Sequence, residues 1–153
     1  STGPEPSVIS CSAAISACEK GCVWEHAVCL LQGMQLRDVR PNAVTYSAVI
    51  SACEKGMQWR KALELMREMH HLDGVESNMI TFSAAISACE KSGEWEQALS
   101  IVEEMWHSSV PQNVITYSAS ISACANARRW EWALEFFSRM QERRVTPDVV
   151  VYN

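Results

Sequence analysis

AVTYSAVISACEKG, residues 43–56, is followed thirty-six residues later by MITFSAAISACEKSG, residues 79–93. Two more near-copies stand at residues 8–21, VISCSAAISACEKG, and at residues 114–127, VITYSASISACANA. The four copies cover almost the whole chain of 153 residues. A period of this length is typical of a solenoid, in which each repeat is too small to bury its own apolar face and must stack on its neighbours.

Four residue types mark the period. We divide the array into repeats 8–42, 43–78, 79–113 and 114–148, with residues 149–153 as the start of a fifth and residues 1–7 as an N-terminal extension. The extra residue of the second repeat is placed in the loop HLDGVESN, residues 71–78. Each marker recurs in steps of 35, 36 and 35 residues: Cys18, Cys53, Cys89 and Cys124; Trp24, Trp59, Trp95 and Trp130; Ala27, Ala62, Ala98 and Ala133; Met34, Met69, Met105 and Met140.

Each repeat is predicted to contain two helices. In the second repeat the apolar spacing predicts a first helix from about Val44 to Lys55 and a second from about Trp59, with Lys55-Gly56 as the stop between them. Tryptophan and methionine at repeated helical positions are predicted to be packing groups, the tryptophans capping the stack between neighbouring repeats. The fold class is therefore all-α, an α-solenoid of antiparallel helix pairs.

The composition limits the possible functions. The hydrophobic content of 48% predicts a folded chain, and no apolar run is long enough to insert into a membrane. The formal net charge of −5 has the wrong sign for a typical nucleic-acid binder. An odd count of seven cysteines in a helical pattern favours a reducing compartment over a disulfide scaffold.

Catalytic and metal-binding patterns are not found in the sequence. Only Cys18 and Cys22 are close neighbours, and no pair of histidines completes a tetrahedral set, so we expect neither a metal nor a cofactor. No Ser-His-Asp, paired-carboxylate or HExxH arrangement is found, so an enzyme is the least favoured class. The four histidines share no repeat position: His26, His70, His71 and His107.

One side of each first helix carries a second repeated pattern, here called the first-helix stripe. Its four members in a repeat fall within about 80° of arc on a helix, which predicts an exposed row of one aliphatic residue, two hydroxyls and a charge. Single-stranded nucleic acid could meet such a row repeat by repeat; a merely solvated helix face is the alternative. The members are Ile9, Ser12, Ser16 and Lys20; Val44, Ser47, Ser51 and Lys55; Ile80, Ser83, Ser87 and Lys91; Ile115, Ser118, Ser122 and Asn126.

The segment TYSAVISACEKGMQWRKALELMREM, residues 45–69, closely resembles the pentatricopeptide repeat family. The period of 35 residues and the closing Pro-Asn or Pro-Asp belong to the same resemblance, which covers residues 8–153. The tetratricopeptide repeat fits less well, because its Trp and Gly-Tyr signature lies early in the first helix whereas these tryptophans begin the second. The resemblance implies a right-handed superhelix.

The resemblance also implies roles for single residues. In the family each repeat binds one RNA base through its fifth and last residues, while its second residue wedges bases apart and its thirteenth meets phosphate. A Ser–Asn pair is implied to read adenine and a Ser–Asp pair guanine, so the four repeats would read 5′-AAAG-3′. The pairs are Ser12 with Asn42, Ser47 with Asn78, Ser83 with Asn113 and Ser118 with Asp148; the wedges are Ile9, Val44, Ile80 and Ile115; the phosphate residues are Lys20, Lys55 and Lys91, with uncharged Asn126 in the fourth repeat.

Two functions remain open at this stage. The first is sequence-preferring binding of single-stranded RNA in a mitochondrion or plastid, to stabilise, process or present a transcript. The second, favoured by the acidic total, is a scaffold that binds partner proteins in a large organellar complex. At the C-terminal edge, Val151-Tyr152-Asn153 aligns with the start of a first helix, so we expect further repeats or a partner to cover it.

Overall fold

The computed structural model describes residues 7–142, and within them it contains eight α-helices and no strand. The all-α fold class is confirmed, and the predicted helix starts lie within one residue of the observed ones. Each repeat contributes one pair of helices. The bounds are α1 Val8–Lys20, α2 Trp24–Leu36, α3 Ala43–Lys55, α4 Trp59–His70, α5 Met79–Lys91, α6 Trp95–His107, α7 Val114–Asn126 and α8 Trp130–Glu142.

The turn inside each repeat contains a left-handed residue just after the helix cap. In the second repeat this residue is Met57, at φ 56°, whereas Gly56 keeps a φ of −84°. The predicted stop at Lys55-Gly56 is confirmed, since α3 ends at Lys55 and Gly56 is its C-cap. A Cβ on Gly56 would lie 2.4 Å from Cδ1 of Trp24, so close approach of the indole requires glycine there.

The extra residue of the second repeat lies in the loop after α4, as predicted. Left-handed residues mark the same point of this loop in three repeats: Asp38, Gly74 and Ser109. The step from Asp38 to Gly74 is one residue longer than the step from Gly74 to Ser109. Helix α4 itself is one residue shorter than α2 and α6, with 12 residues against 13. The inserted residue therefore lengthens the loop between α4 and α5 and does not lengthen a helix.

The described residues form two compact units that divide between Ser77 and Asn78. In the first unit α1 packs on α2 and α3, α2 on α3, and α3 on α4. In the second unit α5 packs on α6 and α7, α6 on α7, and α7 on α8. A single array over residues 8–153, and the start of a fifth repeat at 149–153, stay predictions, the latter outside the described residues.

The repeated methionines are confirmed as core residues. Met34, Met69, Met105 and Met140 are at most 1% exposed. The apolar arc predicted for the first helix is equally closed, since all four of its members are fully buried in α3. Those members are Tyr46, Val49, Ile50 and Cys53.

The repeated tryptophans are covered unequally. Trp24 packs against Gly56 of the next repeat, and the Trp95 ring lies 5.0 Å from the guanidinium carbon of Arg129, also in the next repeat. The predicted core position is wrong for these tryptophans: Trp24, Trp59 and Trp95 are half-buried, and Trp130 is 64% exposed.

Trp106 is not at the repeated tryptophan position, and its packing role could not be predicted from the period. Its ring centroid lies 6.0 Å from that of Phe136, and the guanidinium carbon of Arg139 lies 4.2 Å from the ring of Trp106. Trp106 therefore joins α6 to α8 in the second unit. Among residues 7–142, no helix combines the length and apolar character needed to span a bilayer.

Candidate nucleic-acid interface

The last residue of a repeat begins the first helix of the next one. Asn42, Asn78 and Asn113 are the N-cap residues of α3, α5 and α7. Each side-chain oxygen accepts a hydrogen bond from the backbone N–H of the threonine three residues later, at 3.0, 3.1 and 2.9 Å respectively. The predicted base-reading asparagines therefore have a structural role as helix caps, which the sequence analysis did not identify.

In the first unit the structure brings the predicted pair of repeat 1 together through a third residue. The hydroxyl oxygens of Ser12 and Thr45 lie 2.8 Å apart. The Thr45 hydroxyl in turn donates to Asn42 Oδ1 at 2.9 Å. Thr45 is fully buried, so the three side chains form a hydrogen-bonded link from α1 to the start of α3.

The serines of the first-helix stripe are less exposed than the sequence predicted. Ser47 and Ser118 are buried, at 6% and 8% exposure, while Ser12 and Ser83 are half-buried. The Ser47 hydroxyl donates to the carbonyl of Ala43 at 2.7 Å, within its own helix. The exposure was predicted from the arc on one isolated helix, which leaves out burial by a neighbouring helix. For Ser12 of α1 that neighbour is α3, through Thr45.

The predicted pair of repeat 3 shows no direct link. Ser83 Oγ is buried without a hydrogen-bond partner in the described part of the chain, and the Thr116 hydroxyl donates to the Asn113 carbonyl at 2.9 Å. In the pair of repeat 2, Ser47 belongs to the first compact unit and Asn78 to the second. The fourth pair contains Asp148, which lies outside the described residues.

The aliphatic position of the stripe is exposed in every repeat. Because water contact is unfavourable for large apolar side chains, exposure at the same position of all four repeats is unusual. A flat apolar ligand could cover each of them. The exposed fractions are 82% for Ile9, 63% for Val44, 60% for Ile80 and 54% for Ile115.

The lysines at the far end of the stripe are exposed, and Lys55 makes an ion pair with a carboxylate of the preceding repeat. Lys55 Nζ lies 2.7 Å from Oε1 of Glu19, which belongs to α1. This hydrogen bond raises the pKa of Lys55 above its usual value. Lys20 and Lys91 are exposed at the matching positions, as is Asn126. The sequence analysis did not identify Glu19, although its position beside Lys20 recurs as Glu54 and Glu90.

Residues 7–142 contain few other features that could form a catalytic or metal-binding site. A cavity of about 280 Å³ lies between α1 and α2, lined in part by Cys11, His26 and Cys29. No group of three or more histidine, cysteine, aspartate or glutamate side chains in residues 7–142 is placed to hold a metal ion. All seven cysteines are free thiols.

Family comparisons agree with the repeat geometry. The model described as "Pentatricopeptide repeat domain" matches residues 64–124 and 100–153, "PPR repeat family" matches residues 6–55 and "PPR repeat" matches residues 44–73. The chain belongs to the pentatricopeptide repeat family. The family resemblance drawn from the sequence is therefore confirmed. A search of curated protein sequences returned no significant match.

Solved pentatricopeptide repeat structures share the fold. The structure of PPR10 in complex with an 18-nt psaJ RNA element is 25% identical, with a TM-score of 0.85, over 99% of this chain and 22% of that one. PPR10 from maize gives a TM-score of 0.70 at 25% identity, over 98% and 21% of the two chains. This chain thus spans about a fifth of the length of PPR10.

A more distant relative shows the fold alone. The pentatricopeptide repeat domain of protein-only RNase P 1 from Arabidopsis thaliana, in complex with tRNA, has a TM-score of 0.86 at 12% identity. The match covers 98% of this chain and 79% of that domain. The helical-repeat solenoid class predicted from the sequence is confirmed by these neighbours.

Proposed function

We propose that this pentatricopeptide repeat chain binds single-stranded RNA along the first-helix stripes, one base per repeat. The observation that carries the proposal is the exposure of Ile9, Val44, Ile80 and Ile115 at one repeated position. Aliphatic side chains in such a row can support the faces of unstacked bases, since every base has an apolar face. The RNA bound by PPR10 supports the same ligand class.

The polar ends of the stripe fit the rest of a nucleotide. A base supported by Ile9 or Val44 would place its edge toward the serine and the N-cap asparagine, and its phosphate toward the lysine at the end of the helix. The implied order of bases is 5′-AAAG-3′ for repeats 1 to 4. The three asparagines have a polar nitrogen to offer, because only their oxygens are used in capping.

The proposed setting is a mitochondrion or plastid, where the chain would stabilise, process or present a transcript. Family membership supports this setting. Occupying a single strand requires no catalytic group, so the proposal is for a non-catalytic binder. Single-stranded RNA is the proposed partner.

A scaffold for partner proteins is the second candidate function. The net charge of −5 and the neutralising contact between Glu19 and Lys55 favour it, since both weaken attraction to phosphate. Proteins of an organellar complex would then cover the exposed aliphatic row. Tight copurification with proteins, together with no RNA retained at physiological salt, would support this candidate.

The test compares affinities for two labelled oligonucleotides of about eight nucleotides, a length within the range for short single-strand sites. One contains AAAG flanked by uridines and the other is uridine throughout. We expect tighter binding of the first. Val44→Ser should weaken it by about threefold to tenfold, because an aliphatic side chain loses part of its buried area.

Leu36→Ser is the matched control for this test. Leu36 is 89% exposed on α2, outside the first-helix stripe, so its loss should leave the affinity unchanged. Equal weakening by both variants, or equal affinity of the two oligonucleotides, contradicts the proposal.

A further inference from the structure

We propose that Thr45 is a positioning residue that sets the base preference of repeat 1, an inference that rests on the proposed function. Thr45 lies in the second repeat, outside the pair that would read the first base. Its hydroxyl contacts both members of that pair, Ser12 at 2.8 Å and Asn42 at 2.9 Å. The contact makes the orientation of both groups depend on one buried side chain.

The orientation of the Asn42 amide follows from which atoms can donate. The backbone N–H of Thr45 and the hydroxyl of Thr45 both point a hydrogen at the same side-chain atom of Asn42, at 3.0 and 2.9 Å. Only an oxygen can accept two hydrogen bonds, so Oδ1 faces inward and Nδ2 faces away. Nδ2 makes no hydrogen bond within residues 7–142 and Asn42 is exposed, so two N–H donors face solvent.

The orientation of the Ser12 hydroxyl follows from the same count of hydrogen-bond donors and acceptors. The Thr45 hydroxyl has one hydrogen, which it gives to Asn42 Oδ1, and it accepts the backbone N–H of Asn42 at 3.3 Å. In its contact with Ser12 it must therefore accept, and Ser12 must donate. Ser12 then offers only lone pairs to a ligand.

The pair so arranged presents an acceptor from Ser12 beside a donor from Asn42. Adenine has the complementary edge, an amino donor at N6 beside an acceptor at N1, and guanine has the opposite order at O6 and N1. A guanine would face Ser12 with oxygen against oxygen and Asn42 with hydrogen against hydrogen. Thr45 thus disfavours guanine at the first base without touching it.

Repeat 3 lacks this arrangement and supplies an internal comparison. Thr116 is buried and caps its helix as Thr45 does, but its hydroxyl donates to the Asn113 carbonyl, and Ser83 Oγ has no partner in the described range. No hydrogen bond within residues 7–142 therefore fixes the direction of the Ser83 hydroxyl hydrogen. We infer that repeat 1 discriminates adenine from guanine more strongly than repeat 3 does.

The experiment measures Kd of the whole chain for AAAG-containing RNA and for the same RNA with guanine at the first or the third base. In the wild-type chain the change at the first base should cost about fivefold more affinity than the change at the third, about the value of one oriented hydrogen bond. Thr45→Val should remove most of that difference. Thr45→Ser keeps a hydroxyl and should restore it.

Thr116→Val is the matched control, because it removes an equivalent buried capping hydroxyl that contacts no base-reading side chain. It should lower the melting temperature about as much as Thr45→Val does and leave the preference at the third base unchanged. Equal discrimination at the two bases in the wild-type chain, or an unchanged preference in Thr45→Val, overturns the proposal. The wild-type comparison needs no variant to fold. Absence of RNA binding by the wild-type chain is a different result, which overturns the proposed function itself.

Discussion

At the scale of single residues, chemistry could be predicted more easily than geometry. The asparagine that ends each of the first three repeats is visible in the sequence, but its capping role is not visible from its position in the period. An Asn-x-x-Thr spacing, present as Asn42-Thr45, Asn78-Thr81 and Asn113-Thr116, would have indicated it. Burial of Ser47 could not be predicted in this way, since a helix wheel contains no neighbouring helix.

Glu19 sets the charge that Lys55 offers to phosphate. Their contact of 2.7 Å must be broken before Lys55 can meet RNA, because the ammonium group cannot serve both anions at full strength. Glu19→Gln should therefore strengthen RNA binding by about twofold to fivefold at low salt, the usual range for one exposed ion pair. The measurement is Kd by fluorescence anisotropy.

Glu25→Gln is the control for that substitution. It removes an exposed carboxylate of α2 and so makes the same change in net charge away from Lys55. A gain in affinity as large as that of Glu19→Gln would assign the effect to total charge, and a loss with Glu19→Gln would show that the carboxylate orders Lys55 for RNA.

The buried cysteines make stability depend on pH. Burial raises the pKa of Cys53 and Cys124 to about 11 and that of Cys89 to about 12, and burial with the nearby Glu68 raises the pKa of Tyr46 to about 12. A raised pKa means that the unfolded chain loses these protons first. The contribution of these thiols to the free energy of unfolding is fully present below the pKa of an unfolded thiol, about 8.5, and is lost as pH rises toward 11.

We therefore expect the melting temperature to fall steeply between pH 9 and pH 11. The unfolding free energy should drop by about 1.4 kcal/mol per pH unit for each thiol that ionises on unfolding. Circular dichroism melts across this range measure it. Cys89→Ala should reduce the slope, whereas Cys29→Ala, which changes an exposed thiol, should not; identical slopes in both would contradict the assignment.

At the scale of the helices, prediction was accurate because each boundary is written four times. Repetition separates a helix start, such as Trp59, from accidental apolar spacing. The stop at Lys55-Gly56 was predicted as well, but the reason for the glycine was not. Met57 takes the left-handed conformation of the turn, and the glycine is needed by an indole from another repeat.

Gly56→Ala should destabilise the chain through contact with Trp24. The new methyl group would lie 2.4 Å from Cδ1 of the indole, so the ring or the turn must shift. Overpacking of this kind costs about 1–3 kcal/mol, which urea denaturation can measure.

Gly33→Ala is the matched control in the neighbouring helix. A Cβ at Gly33, inside α2, would meet nothing within 4 Å. Removing a glycine from a helix interior should stabilise by about 0.5–1 kcal/mol. The two variants should thus shift stability in opposite directions, and a shift of the same sign would refute the role assigned to Trp24.

At the scale of the whole molecule, the period predicted the fold class and the family, while total charge pointed away from RNA. A net charge of −5 is a sum over all faces, and a ligand meets only one. The exposed lysines at the ends of α1, α3 and α5 place positive charge at one repeated position. The amount of this charge that is available to RNA depends on ion pairs such as that between Glu19 and Lys55. Such contacts cannot be predicted from the amino-acid composition.

The salt dependence of RNA binding measures this local charge. If Lys20, Lys55 and Lys91 each neutralise one phosphate of a single strand, replacing all three by Gln should reduce the slope of log affinity against log salt by about two. Lys55→Gln alone should change the slope less than Lys20→Gln, because Glu19 takes up a counterion when Lys55 leaves it. In the Glu19→Gln background the two single changes should become equal. An unchanged slope in the triple variant would show that the lysines only solvate the helix ends, and the acidic total would then favour a protein partner for this surface.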